Sequence, residues 1–304
     1  VAARVVRAMV ISRLPLSLCG PAAAAAAAHL AAGSSSSPRR RGLGLRAARC
    51  QSYVAPSVQL YQYEICPFCC KVKAFLDWQK MPYRTVEVNP LSKKELKFSE
   101  GYKKVPVALI EGQQVNDSTD ILASLAAQSG QAGPALRAAM AEPETCRWLQ
   151  WVDKELAVLI FPNATRTLGD SWEAFKYVRE VPTFDVGTKM VSHAGGSVAM
   201  WIAHSKLKKK YNISDEKKQL MEAIQLWVDA VGDGPFLKGQ ALSLADVAVY
   251  GVVSSIRGLE AYTDLMAASP AFARWNDAVM QAIGPSMRVE DTPLVRHFGP
   301  TAVL

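Results

Sequence analysis

The first 57 residues contain no aspartate, no glutamate and no lysine. They do contain eight arginines: Arg4, Arg7, Arg13, Arg39, Arg40, Arg41, Arg46 and Arg49. The formal net charge of +8 therefore resides in this leader, and the rest of the chain balances 27 basic against 27 acidic residues. That balance excludes a basic nucleic-acid-binding domain. Only one C-x-x-C is present, and no paired histidines follow it, so a structural zinc site lacks its ligands. The six cysteines, Cys19, Cys50, Cys66, Cys69, Cys70 and Cys146, do not make a disulfide framework, because three crowd one place in a large chain. A reducing compartment is the expectation. No run after residue 57 is long and apolar enough to span a membrane.

Residues 1–57 are rich in Arg, Ala and Ser, the composition of a mitochondrial or plastid transit peptide. Ala22–Ala28 is low-complexity, and Ser34–Arg41 reads as a disordered linker. The uncharged stretch Leu14–Gly33 is long enough to be a membrane anchor, which keeps a Golgi or microsomal association as an alternative, with the cytoplasm as another. Its alanines, with Pro15, Gly20, Pro21 and His29, favour the transit peptide.

The remaining length suits two domains. Residues 58–128 form the first, 129–140 a linker, 141–285 the second, and 286–304 a tail. Val58–Tyr63 reads as a strand, followed at once by Cys66-Pro67-Phe68-Cys69 and a helix over Phe68–Lys80. The helix places Val72, Phe75 and Leu76 on one face and Lys71, Lys73 and Asp77 on the other. A thiol at Cys66 then lies at a helix N-terminus, where free N–H groups and the helix dipole favour thiolate. Further strands are expected at Arg84–Val88, Val105–Ile110 and Gln114–Asn116, with a short basic helix or turn at Leu91–Phe98 and a helix after Asp117-Ser118. The order β-α-β-α-β-β-α is that of a thioredoxin-like domain.

Three features around this frame bear on binding. Val105-Pro106 resembles the cis-proline corner of thioredoxin-like proteins, which frees the backbone of Val105 to pair with a thiol peptide. Asp117-Ser118 resembles the glutathione clamp of the transferase superfamily: a helix N-terminus and the Ser118 hydroxyl suit a carboxylate, and Asp117 suits an amine. Lys103 and Lys104 either meet the glycyl carboxylate of glutathione or form a solvated turn. Glu64 stands where glutaredoxins often carry a basic residue.

The second half reads as helices. Trp148, Trp151 and Trp227 recur with aliphatic residues at helical spacing, as core rather than a cofactor box. Ser243 and Asp246 have capping-box spacing ahead of an apolar helix. The segment 161–212 is not typical of transferases, and its run Lys206–Lys210 reads as a solvated helix end.

Together these segments resemble the membrane-associated prostaglandin E synthase 2 family, within the glutathione transferase superfamily. The resemblance rests on Leu60–Tyr63, Cys66–Leu76, Val86–Pro90, Tyr102–Pro106, Asn116–Ser118, Lys206–Tyr211 and Leu244–Val252. It implies a thioredoxin-like α/β domain followed by an all-α transferase-like domain. It implies a homodimer that binds glutathione, with haem as a further ligand, and that isomerises a lipid endoperoxide, prostaglandin H2, to prostaglandin E2. A disulfide is the alternative substrate, in a glutaredoxin-like oxidoreductase, and a non-catalytic glutathione or haem module is the third reading. Cys66 maps to the essential thiol, with Cys69 and Tyr63 beside it. Phe68, Lys104, Val105, Pro106, Asp117 and Ser118 map to the glutathione site. Cys70 departs from the small polar residue commoner there.

Overall fold

The computed structural model describes residues 55–99 and 101–289. The transit-peptide and anchor readings, and residues 290–304, lie outside them. The first domain contains β1 (Val58–Gln62), α1 (Pro67–Trp78), β2 (Arg84–Glu87), β3 (Val107–Ile110), β4 (Gln113–Asn116) and α2 (Ser118–Ala127). The sheet order is β2-β1-β3-β4. β1 runs parallel to β2 and antiparallel to β3, and β3 pairs antiparallel with β4. This is the thioredoxin-like arrangement. Where a short basic helix or turn was expected at Leu91–Phe98, the chain forms a single 3-10 turn over Lys94–Leu96. Asn89 favours the turn: its side-chain oxygen accepts from the N–H groups of Leu91 and Ser92, an alternative to helical pairing. β3 starts at Val107 rather than Val105, since Pro106 has no N–H for the ladder.

The second domain is all helical. Its elements are α3 (Gly133–Ala141), α4 (Pro143–Trp151), α5 (Ala157–Ala164), α6 (Leu168–Phe175), α7 (Val186–Lys210), α8 (Glu216–Val231), α9 (Leu244–Ser254), α10 (Glu260–Ala268) and α11 (Pro270–Ile283). The stretch 129–140, read from sequence as a linker, is helical: a 3-10 turn at Gly130–Ala132 runs into α3. Trp148, Trp151, Trp227 and Trp275 pack together in the core, with neighbouring ring centroids 5.0–6.3 Å apart. Such pairs contribute about 0.5–1.5 kcal/mol each beyond area burial. The capping box of Ser243 and Asp246 opens α9, and Asp246 also accepts from Trp275 Nε1 at 2.9 Å. A carboxylate at the start of α9 thus ties the cap to the tryptophan core.

α9 is buried along its whole length and lies against α1. Gly251 makes this approach possible, because a Cβ there would stand 2.6 Å from the Cα of Lys71. Helix α1 is therefore sandwiched between the sheet and the second domain. The face opposite Val72, Phe75 and Leu76 is therefore not open to solvent: Lys71 and Lys73 are buried.

In the segment 161–212, α6 opens with a capping box of Thr167 and Asp170. Gly196 lets α7 close on the Phe175 ring, since a Cβ would come within 2.6 Å of it. The lysine run forms the last turn of α7, where Lys208 pairs with Glu216. Met190, Trp201 and Ile202 of α7 remain exposed. No helix among the described residues is long and apolar enough to cross a membrane.

The ordered chain continues past residue 285. Gly284 takes a positive φ and turns the chain back toward the first domain. There Tyr83 N–H donates to Met287 O at 3.2 Å, and Val289 N–H donates to Tyr83 O at 2.8 Å. Asp77 accepts from Met287 N–H at 2.7 Å and from the Ser286 hydroxyl at 3.1 Å. The expected tail is therefore docked on the edge of the sheet through Val289.

Candidate active site

Cys66 is the N-cap residue of α1, with an extended backbone and Pro67 at the first helical position. Its N–H donates to Tyr63 O at 3.0 Å, which closes a tight turn between β1 and the helix. Cys66, Cys69 and Cys70 are free thiols. Cys66 is half-buried, while Cys69 and Cys70 are buried.

The three thiols differ in acidity. Cys66 is held below the ordinary thiol range, chiefly because the Cys69 thiol donates to it. Burial opposes this, but the backbone N–H groups of Cys69 and Phe68 and the charge of Lys73 add to the lowering. Burial pushes Cys69 well up, and its hydrogen bond to Cys66 raises it further. Burial pushes Cys70 up to about 12. Its thiol faces Glu64 O at 3.3 Å, away from redox partners. One nucleophile and two protonated thiols are what this geometry makes.

Tyr63 is half-buried, and burial raises its phenol, with Glu87 and Cys66 adding. It is a hydrogen-bond donor, not a phenolate. Tyr102, which sequence reasoning did not assign, belongs to the same wall. It packs with Tyr61, Tyr63 and Val105 over a small core of Val88, Leu96 and Val107. Burial raises its hydroxyl, and the charge of Asp117 adds to this.

The Val105-Pro106 bond is cis. Because the ladder begins at Val107, Val105 stands outside it. Asp117 takes φ +69°, unusual for a residue with a Cβ, and caps α2 by accepting from Thr119 N–H at 2.9 Å. Ser118 is buried at the start of that helix. Lys104 is exposed at the corner. Lys103 is not available in the same way: its ammonium donates to Leu96 O at 3.1 Å and Ser99 O at 2.6 Å, which settles it as a loop anchor.

Two buried networks reach this site from behind. On one flank of α1, Lys71 donates to Asp153 at 2.5 Å and to the Thr119 hydroxyl at 3.1 Å. Thr119 in turn donates to Asp153 at 2.8 Å. Asp153 comes from the second domain, on a π-helical turn over Val152–Leu156. That extra residue in the turn interrupts the α-helical spacing expected along the tryptophan stripe.

On the other flank, Lys73 pairs with Glu64 at 2.8 Å, and Arg288 pairs with the same carboxylate at 3.2 Å. Gln62 donates to Glu64 at 2.6 Å and to Glu87 at 3.3 Å. Burial would raise Glu64, but Lys73 and Arg288 outweigh it and hold the carboxyl below its ordinary range. For Glu87, burial together with Glu64 outweighs Lys73 and the hydrogen bonds from Glu64 N–H and Tyr177, and pushes the carboxyl up to about 8. Of these residues only Glu64 carried a sequence signal, as a departure from the glutaredoxin pattern. Nothing local marks Asp153 or Arg288, whose partners lie 82 and 224 residues away.

The family model "Glutathione S-transferase, N-terminal domain" matches residues 60–133, and "Glutathione S-transferase, C-terminal domain" matches residues 200–278. The chain is 35% identical to Prostaglandin E synthase 2 of Mus musculus, across 86% of this chain and 79% of that protein. It is 32% identical to Prostaglandin E synthase 2 of Danio rerio, across 68% of this chain and 66% of that protein. Among solved structures, a possible glutathione S-transferase from Rhodopseudomonas palustris is similar with a TM-score of 0.48 and 18% identity, over 78% of this chain and 99% of that one.

Proposed function

The chain belongs to the prostaglandin E synthase 2 family, and from that premise we propose that it is a glutathione-dependent isomerase of lipid endoperoxides with Cys66 as its reacting thiol. The observation that carries this reading is the division of labour in the motif. Cys66 is half-buried and receives hydrogen bonds, while Cys69 is buried, protonated and donates to it.

In this reading the Cys66 thiolate attacks one oxygen of the endoperoxide. An S–O bond forms and the O–O bond breaks. The other oxygen takes a proton, for which the protonated Tyr63 phenol is suited, and becomes a hydroxyl. Loss of the proton from the carbon that bears the sulfur-bound oxygen forms the ketone and breaks the S–O bond. The thiolate returns, and the product is an isomer of the substrate with no net oxidation. Glutathione, when bound, supplies a second thiol next to Cys66. The residues suited to hold it are Ser118 and the start of α2 for its α-carboxylate, Asp117 for its amine, and Val105 beside Phe68 for its backbone. Lys104 is the cation left for its glycyl carboxylate. The exposed apolar side chains of α7, Met190, Trp201 and Ile202, suit a second copy of the chain, in keeping with a homodimer.

A second reading, thiol–disulfide exchange, is favoured by the direct Cys69–Cys66 hydrogen bond between two free thiols. One experiment separates the two. Prostaglandin H2 turnover with glutathione is expected in the unmodified protein, reduced in Cys69→Ser and abolished in Cys66→Ser. Full activity in Cys66→Ser would overturn the proposal. Absent turnover, with a reversible Cys66–Cys69 disulfide detected by mass spectrometry across a redox titration, would move the conclusion to the second reading.

A further inference from the structure

We propose that Thr119 is a positioning residue for the glutathione clamp: held from behind by Lys71 of the thiol helix and Asp153 of the second domain, it aims the Asp117 carboxylate and so sets the preference for a thiol that carries a γ-glutamyl amine. This deepens the reading of Asp117 and Ser118 as the clamp, and rests on it.

Both polar groups of Thr119 are committed. Its backbone N–H donates to Asp117 Oδ1 at 2.9 Å. Its hydroxyl donates to Asp153 Oδ2 at 2.8 Å and accepts from Lys71 Nζ at 3.1 Å. Lys71 closes the ring by donating to Asp153 Oδ1 at 2.5 Å. The directions follow from the groups: an ammonium only donates, a carboxylate only accepts, and the hydroxyl does one of each. The Lys71 side chain is fully buried, so leaving the ring would strand a cation without its partner. Threonine is stiff at χ1, so a fixed hydroxyl fixes the residue.

Asp117 is the residue this governs. It is exposed, with φ +69°, a backbone conformation that a residue with a Cβ keeps only when its neighbours enforce it. Its carbonyl accepts from Ile121 N–H at 2.9 Å, and one carboxylate oxygen accepts from Thr119 N–H. Among the described residues the second oxygen has no such bond, which leaves it for an ammonium. Where Thr119 stands therefore decides where the Asp117 carboxylate points. Lys71 lies five residues past Cys66 on α1, and Asp153 lies on the π-helical turn of the second domain. A γ-glutamyl thiol has to reach Cys66 and Asp117 at once, and the ring ties together the two helices that carry them. Apolar contacts alone would bury α2 as well, but a closed ring of hydrogen bonds specifies one arrangement.

The test compares glutathione with glutaryl-cysteinylglycine, which keeps the thiol and both carboxylates and lacks only the amine, by calorimetric titration of the full chain. The unmodified protein is expected to prefer glutathione by about tenfold or more, the scale of one charged hydrogen bond. Thr119→Val keeps the shape and the backbone N–H but loses the hydroxyl. It should cut the preference to about twofold, chiefly by weakening glutathione, and Thr119→Ser should restore most of it. An unchanged preference in folded Thr119→Val, or both ligands weakened by the same factor, would overturn the inference, because a general loosening of the fold acts on both. If Thr119→Val does not fold, Lys71→Met/Asp153→Leu removes the ring without leaving a buried charge. It should lower the preference in the same way, and an unchanged preference there would also overturn the inference. Equal affinities in the unmodified protein, or no binding of either ligand, would overturn the clamp reading itself, whatever Thr119 does.

Discussion

Lys71 and Lys73 sit two residues apart on one helix, both buried, and they serve opposite ends of the same site. Lys71 reaches Thr119 and Asp153, so it joins the thiol helix to the clamp helix and to the second domain. Lys73 reaches Glu64, so it stays within the thiol's own electrostatic surroundings. Two residues of a helix differ by about 200° around the axis, so the pair looks out from nearly opposite flanks. The Lys71 flank is geometry: one cation, one carboxylate and one hydroxyl, mutually hydrogen-bonded. The Lys73 flank is charge: two carboxylates, two cations and a thiol. The difference predicts that affinity for glutathione and acidity of Cys66 have separate supports, and variants should separate them.

The largest effect is expected from Asp153→Ala. It leaves Lys71 buried without its carboxylate, a loss of about 3–5 kcal/mol for a broken buried pair. Chemical denaturation checks this. Glutathione affinity should fall with it, while the pH midpoint of Cys66 alkylation holds, and a moved midpoint would erase the distinction between the flanks. Next comes the pH dependence of stability on the Lys73 flank. The Glu87 carboxyl is pushed up to about 8 in the folded protein, against about 4.3 for an unperturbed one. It binds its proton more tightly when folded, so its contribution is complete below the unfolded value and is lost as pH rises toward 8. Stability should fall between about pH 5 and 8, by at most about 1.4 kcal/mol per pH unit. Glu87→Gln should flatten that slope in denaturant midpoints taken across the window. Glu64 stays ionised across it, folded and unfolded, and adds no slope. The smallest effect is that of Lys73→Met on the thiol. The alkylation midpoint of Cys66 should rise by about half a pH unit, with glutathione affinity held. A matching fall in affinity would show that the two supports are one.

Much of this was legible in the sequence. The strand–motif–helix order, the proline corner and the capping box at Ser243 are local patterns, because a turn, a missing N–H or a cap is decided by a few adjacent residues. So was the tryptophan core, through its spacing. What was not legible depended on a second surface. The burial of Lys71 and Lys73 was not legible because helical periodicity marks one buried face, the one against the sheet. The α9 helix, brought close by Gly251, buries the opposite side. Lys103 read as an anion ligand or as part of a solvated turn, because its partners are carbonyls, which carry no sequence signature. Arg288 could not be read at all, since only the turn at Gly284 and the docking on Tyr83 bring it to Glu64.

The clasp of residues 284–289 also sets an order in time. Glu64 and Arg288 are separated by 224 positions. A ribosome adding about 5–20 residues per second makes Glu64 and Cys66 roughly ten to forty-five seconds before Arg288. Throughout that interval the nascent first domain holds its carboxylate without the second cation. The Glu64 carboxylate therefore gains its second cation only after the chain behind it has been synthesised, when both domains are present to enclose it.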